Sequence, residues 1–188
     1  PPDATGDDLA GYKAVFAPGW PTLSAPLLAA LATTQIPCLI GPRSNLMTSE
    51  LSTALPLGPN LPDLDIAVTR VESLPPATMR PVAGGGAVLH WVETLEGSAP
   101  AVITGEDGAK LLVTNGTLHY LAGWPDTALW DRLVDLICAN IARSRLPDGL
   151  RLRDTATHRF AFNYAPEAQD WNGQTIPAAG VAWWPLDA

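Results

Sequence analysis

Asp8-Leu9-Ala10-Gly11-Tyr12-Lys13-Ala14-Val15-Phe16-Ala17-Pro18 is the stretch on which the fold turns. Lys13 to Pro18 is short, largely apolar and closed by proline, the pattern of a buried strand. Behind it, Leu23-Ser24-Ala25-Pro26-Leu27-Leu28 opens a helix, with Ser24 as cap, Pro26 in the first turn and Leu23 able to staple onto Leu28. That helix is expected to run to about Thr34. Ile36 to Ile40, closed by Gly41-Pro42, is the next strand. Strand, helix and strand in this order build a parallel sheet, because parallel neighbours need a long crossover. A doubly wound α/β domain is the expectation. Such a sheet needs partners on both sides of an interior strand, yet only twelve residues precede Lys13. The chain is therefore expected to be a piece of a larger protein.

With 188 residues, 47% apolar and 16% charged, the chain can bury one good core and a small satellite. Its net charge of -8 argues against a nucleic-acid partner, which would require clustered Lys and Arg. The basic residues are scattered, apart from Arg143 and Arg145 at an expected helix end and Arg151, Arg153 and Arg159 in a later strand region, where they complement a helix C-terminus and solvate a sheet face. Cys38 and Cys138 sit far apart in apolar surroundings and suggest neither a disulfide scaffold nor a metal knuckle. No apolar run approaches the roughly 20 residues of a membrane span, so no membrane partner is expected. No leader opens the chain, but one could precede Pro1, and the compartment stays open, with the cytoplasm favoured over the periplasm or secretion.

From Ser44 to Pro62 the chain is rich in Ser, Thr, Pro and Asn with scattered leucines, which reads as an irregular excursion with one helical turn near Ser49 to Ala54. Long loops of this kind are functional or lie at interfaces, and Leu46, Leu51, Leu55, Leu57 and Leu61 would be costly to leave in water. Leu64 to Val71, Gly86 to Leu95, Ala101 to Thr104, Ala109 to Thr114 and Thr117 to Ala122 then read as short, antiparallel strands. Asn115-Gly116 signals a two-residue hairpin, and Glu106-Asp107-Gly108 the turn before it. Asp126 caps a long helix with an apolar stripe of Leu129, Leu133, Leu136, Ile137 and Ile141, ended by Pro147-Asp148-Gly149. Leu150 to Asp154, Arg159 to Tyr164 and Ala179 to Pro185 form a small all-β unit that should lean on another domain. The domains are thus 1–147 and 148–188.

A thiol nucleophile on an amidotransferase-like fold needs a glycine-flanked strand-to-helix turn, which neither Cys38 nor Cys138 has. Ser44 in Pro42-Arg43-Ser44-Asn45 lacks a nucleophile elbow. Gly84-Gly85-Gly86 precedes a strand instead of opening a helix, so it reads as a flexible turn. His90, His119 and His158 lack metal-ligand spacing. Glu93 and Glu96, at the end of a strand, read as solvated carboxylates. No catalytic, cofactor-binding or metal-binding residue is assigned. Of the seven tryptophans, Trp20 follows the first strand at its carboxyl end, where α/β sheets present ligands and interfaces. Trp183 and Trp184 must point to opposite faces of one strand.

The order of elements resembles the rear half of glycoside hydrolase family 42, the bacterial β-galactosidases. Asp8 to Pro18 followed by Leu23-Ser24 is similar to that family's opening, and Pro42-Arg43-Ser44 falls at its turn after the next strand. Gly123-Trp124-Pro125-Asp126 resembles its helix start, and Arg159 to Tyr164 a strand of its C-terminal domain. The resemblance implies a flavodoxin-like, class I glutamine-amidotransferase-like three-layer α/β/α domain, incomplete at its N-terminus and open on one side of its sheet, followed by a small antiparallel β domain. It implies an inactive trimerisation segment that partners an N-terminal catalytic (β/α) barrel of the same protein and needs no cofactor. Trp20, Leu51 and Leu55 are the candidate interface residues. Two other readings remain: a free-standing amidotransferase-like hydrolase, and a carbohydrate-binding module using Trp171, Trp183 or Trp184.

Overall fold

The computed structural model describes residues 4–143 and 146–186. Arg145 lies outside the described residues. The chain divides into two compact units, Pro1–Ile141 and Ala142–Ala188. Both are built of short elements, and together they make a mixed α/β protein with several sheets.

The first unit opens with α1 (Gly6–Ala10), where the Asp8 carboxylate accepts the Thr5 N–H and hydroxyl, each at 2.8 Å. Asp8-Leu9-Ala10 thus belong to a capped helical turn, and only Val15–Ala17 pair as β1. In α2 (Ala25–Thr33) the Ser24 hydroxyl accepts the Leu27 N–H at 3.3 Å, and Leu27, Ala30 and Leu31 turn inward. β2 (Cys38–Ile40) is buried throughout and lies parallel to β1, with Val15 opposite Cys38 and Ala17 opposite Ile40. The expected strand–helix–strand unit forms, on shorter strands.

No helical turn forms between Ser49 and Ala54. Thr48 N–H donates to Ser52 O at 2.8 Å, Ala54 N–H to Leu46 O at 3.1 Å, and Met47 bridges Thr53, making a narrow antiparallel loop. Leu51 at its tip has φ 61°, outside the right-handed helical region.

Seven strands follow: β3 (Ala67–Ser73), β4 (Met79–Pro81), β5 (Ala87–Glu96), β6 (Ala101–Thr104), β7 (Lys110–Thr114), β8 (Leu118–Leu121) and β9 (Gly123–Pro125). They complete two sheets. One has the order β1-β2-β8-β7-β6, with β8 parallel to β2 and the β7 and β6 pairings antiparallel. In the other, β5 pairs with β3, β4 and β9. The hairpin expected at Asn115-Gly116 forms one residue later: Asn115 N–H donates to Leu118 O at 3.1 Å and the Asn115 side chain accepts the Leu118 N–H at 3.0 Å, so Gly116-Thr117 make the loop. Leu39, Leu111, Leu112, Val113 and Tyr120, on β2, β7 and β8, are wholly buried and make the centre of the core.

Asp126 caps α3 (Thr127–Ile137), its carboxylate accepting the Leu129 N–H at 2.7 Å. The inward stripe is Leu129, Leu133 and Ile137, whereas Leu136 is 38% exposed. The helix stops at Cys138, well short of Pro147-Asp148-Gly149. The next position of the stripe, Ile141, falls outside the helix: its N–H donates to Cys138 O at 2.9 Å in a tighter turn instead of continuing the helical ladder to Ile137.

The second unit contains β10 (Leu150–Asp154), β11 (His158–Asn163), β12 (Gln169–Trp171), β13 (Gln174–Ile176) and β14 (Val181–Pro185). β11 lies antiparallel between β10 and β14, while β12 and β13 form a hairpin absent from the sequence reading. Its turn, Asn172-Gly173, has φ 50° and 77°, as a two-residue primed turn requires. Leu150, Ala161 and Ile176 form a small core on which Trp171 and Trp184 pack. The buried Asn163 side chain staples the unit, donating to Glu167 O (2.7 Å) and Pro177 O (3.0 Å) and accepting the Ala165 N–H (2.9 Å).

Candidate functional site

The turn after β2 is held by buried side-chain hydrogen bonds. Ser44 is wholly buried, and its hydroxyl oxygen accepts the N–H groups of Gly41 (3.1 Å) and Trp20 (3.2 Å) and donates to Ala17 O (3.4 Å). The turn is thereby tied to the end of β1. Asn45 extends the tie, its side chain accepting the Leu23 N–H at 2.9 Å and donating to Pro59 O at 2.6 Å. Gly41, at φ 85°, has no room for a side chain, since a Cβ there would lie 2.5 Å from Leu121 O.

Glu93 lies beneath this turn and corrects the solvated reading, being only 2% exposed. One carboxylate oxygen accepts the Arg43 N–H (2.8 Å) and the Trp91 indole N–H (3.0 Å), and the other accepts the Tyr120 hydroxyl (2.8 Å). β5 shifts register against β9 between Leu89 and Val92, so Val92 and Glu93 are buried in succession and strict alternation fails. Glu96, three residues on, is exposed as expected. Burial, and then the charge and hydrogen bond of Glu93, hold the Tyr120 phenol well above its ordinary pKa, so it stays a donor.

Above the carboxylate, the Arg43 guanidinium sits 4.6 Å over the Trp91 ring. Both residues line a cavity of about 440 Å³ bounded by the turn, the following loop and β3. Gly19, Leu46, Leu57 and Val68 contribute to the wall, and Arg70 stands at it with Glu72 3.8 Å away. No carboxylate lines this cavity among the described residues.

The nucleophile candidates are buried and committed elsewhere. Burial pushes the Cys38 thiol up to about 11, and its S–H donates to Ile36 O at 3.2 Å, which keeps it in its unreactive form. Cys138 is also buried, and the Ser44 hydroxyl is occupied by backbone. His119 is nearly buried, with Nδ1 unpartnered among the described residues, and burial lowers its pKa. Among the described residues no group of three or more His, Cys, Asp or Glu is placed to hold a metal, and no helix is long and apolar enough to cross a membrane.

The three candidate interface residues fall in different settings. Trp20 is half-buried against the core, with its N–H on Ser44, whereas Leu51 and Leu55 are 68% and 83% exposed at the loop tip. In the second unit Trp183 is 61% exposed while Trp184 packs inward, as alternation required. The residues that sequence reasoning missed are Glu93, Arg43 and Trp91. Only Arg43 carried a signal, lying in the turn after the second parallel strand.

No protein-family model matches the chain. A β-galactosidase of Thermus thermophilus is 38% identical over 170 residues, 87% of this chain and 26% of that protein. Among solved structures, the β-galactosidase of the psychrophilic Marinomonas ef1 superimposes with a TM-score of 0.84 at 26% identity, over 94% of this chain and 29% of that one. A GH42 β-galactosidase of G. stearothermophilus, 14% identical, shares the fold with a TM-score of 0.70 over 94% of this chain and 32% of that one. The chain thus spans about a quarter of the length of the relatives it matches, and along most of its own length it is similar to one segment of the β-galactosidases.

Proposed function

We propose that the chain is the non-catalytic assembly segment of a glycoside hydrolase family 42 β-galactosidase. Its first part, 1–147, belongs to a flavodoxin-like, amidotransferase-like domain that joins subunits into a trimer. Residues 148–188 are the small C-terminal β domain. Both brace a catalytic barrel carried elsewhere in the polypeptide, which removes terminal β-D-galactosyl residues. The parallel β1-β2-β8 core supports the amidotransferase-like reading, and the buried thiols and Ser44 weigh against hydrolysis by this segment itself.

The observation that carries the assembly reading is the exposure of Leu51 and Leu55 on one loop tip. Burying a leucine side chain is worth roughly 1.5–3 kcal/mol, and a subunit contact supplies that burial. Alanine at Leu51 and Leu55 in the intact protein should lower the mass measured by light scattering. An unchanged mass with both changes in place would sink the reading. Trp20→Ala belongs in the same series, with a melting curve to separate lost contact from lost core packing.

Trp183 favours a second reading, a sugar-binding face. It stands on the same sheet face as Phe160 and Phe162, whose rings stack 6.4 Å apart, with Phe160 opposite Trp183 in the register. Such a strip can stack on pyranose rings. Titration with galactosides, following the fluorescence difference between wild type and Trp183→Ala, tests it, and a flat response discards it.

A further inference from the structure

We propose that the cavity at the carboxyl ends of β1 and β2 is a binding site for a small molecule with an apolar body and a carboxylate group. The location is the one that α/β sheets use for ligands, in the crevice beyond the carboxyl ends of parallel strands. Gly19 enters from the loop after β1, and Arg43 and Leu46 from the loop after β2. Its volume of about 440 Å³ falls within the roughly 300–1,000 Å³ of small-molecule sites.

The lining defines the ligand. Leu46, Leu57 and Val68 offer apolar surface, and the Trp91 ring offers a flat one. The polar side chains of the wall are Thr53, Thr69, whose hydroxyl donates to Glu96 at 3.3 Å, and the two arginines, with the Trp91 indole N–H already taken by Glu93. The one cation without an ion pair here is Arg43. Its guanidinium makes the contact with Trp91 and has no hydrogen bond or ion pair among the described residues, while Arg70 is already near Glu72. Arg43 is exposed, so its guanidinium is solvated, and with no carboxylate among the described lining residues that charge is open to an incoming anion. A guanidinium edge matches a carboxylate with two parallel hydrogen bonds. A phosphate dianion would call for several converging donors, and only one free fork is offered.

The site is also fixed in advance. Glu93 holds the Arg43 backbone and the Trp91 indole on the same carboxylate oxygen, so the two residues that would clasp the ligand are positioned from beneath by one buried group. Arg43 itself sits at φ 63°, a conformation that this hydrogen bond helps to maintain. Leu51 and Leu55 do not line the cavity. Substitution at Leu51 or Leu55 therefore tests assembly without removing a lining residue, whereas Trp20, between the lining residues Gly19 and Pro21, does not separate the two.

The test uses the full-length polypeptide that carries this segment, with 3-phenylpropionate, hexanoate and 3-phenylpropionamide as probes in calorimetry and saturation-transfer NMR. The two acids should bind saturably at one site per chain, and the amide at least ~10-fold more weakly than its acid. Arg43→Gln should weaken acid binding by ~10-fold or more, Arg70→Gln by about 3-fold or less, with melting temperatures unchanged. Leu51→Ala should leave binding as it is, whatever it does to the mass. Equal affinity for acid and amide overturns the proposal, as does wild-type acid binding by a folded Arg43→Gln protein. So does the lack of saturable binding by either acid up to about 10 mM. Should Arg43→Gln fail to fold, the acid–amide comparison on the wild type still decides.

Discussion

The turn Gly41–Asn45 and the loop tip Thr48–Leu55 are neighbours in sequence and opposites in how they are held. In the turn, Ser44 is wholly buried, Asn45 is hydrogen-bonded through both side-chain atoms, and the Arg43 N–H is held by a buried carboxylate. At the tip the bonds are backbone pairs and exposed hydroxyl contacts such as Thr48 with Ser52, and two leucines stand in solvent. The difference shows that irregular backbone can be as determined as a strand when side chains supply the missing partners. Where they do not, the apolar residues are free to serve something outside the unit.

Breaking the turn's anchor gives the largest expected effect. Glu93→Ala leaves the Tyr120 hydroxyl, the Trp91 indole N–H and the Arg43 N–H without their buried acceptor. A loss of about 3 kcal/mol or more should appear in urea melts. A change below about 1 kcal/mol would mean that the turn is held without Glu93.

Tyr120→Phe removes one of those bonds and should cost about 1–2 kcal/mol. It also reports on charge. With its pKa held well above the ordinary value of 10.0, Tyr120 should add nothing to the alkaline phenolate absorbance of the folded protein. The wild-type-minus-variant spectrum should stay flat through pH 10 and rise only on unfolding. A step near pH 10 would show that the carboxylate and phenol are solvated.

Acid reads the same region through His119 on β8. Its folded pKa lies below the ordinary 6.5 because burial disfavours the imidazolium. The unfolded chain therefore binds the proton first, and stability falls as pH drops from 6.5 toward the lowered folded value. The slope is at most about 1.4 kcal/mol per pH unit. His119→Gln should flatten this part of the stability profile, and an unchanged slope would assign the acid sensitivity elsewhere.

The tip should give the smallest change. Leu51→Ala and Leu55→Ala should each alter the unit's own stability by less than about 0.5 kcal/mol. A larger loss would place these side chains in contacts within the chain and remove the contrast.

What could be read from sequence was local chemistry. Ser24 and Asp126 cap the helices they were expected to cap. Asn115-Gly116 marked a hairpin to within one residue, and Asn172-Gly173 carries the same signal on a second hairpin that went unread because its strands are only three residues long. Thr5 and Asp8 hold the spacing of a capping box, masked by the apolar run that follows. The cavity and its anchor are a different matter. Glu93 meets Arg43 fifty residues away and Tyr120 twenty-seven away, and a register shift in β5 turns it inward. No periodicity in one strand encodes that. Its neighbour Glu96 has an ordinary exposed position, and nothing in the local pattern distinguishes the two.

One carboxylate on β5 receives the Tyr120 hydroxyl from β8 and the Arg43 N–H from the turn after β2, and so it is shared by two separate sheets. Opening the sheet of β8 strands the Glu93 carboxylate without these donors, and opening the sheet of β5 leaves the Tyr120 hydroxyl and the Arg43 N–H without their acceptor. The two should therefore lose their amide protection together, as one cooperative unit in hydrogen exchange, with the loop tip exchanging far ahead of both.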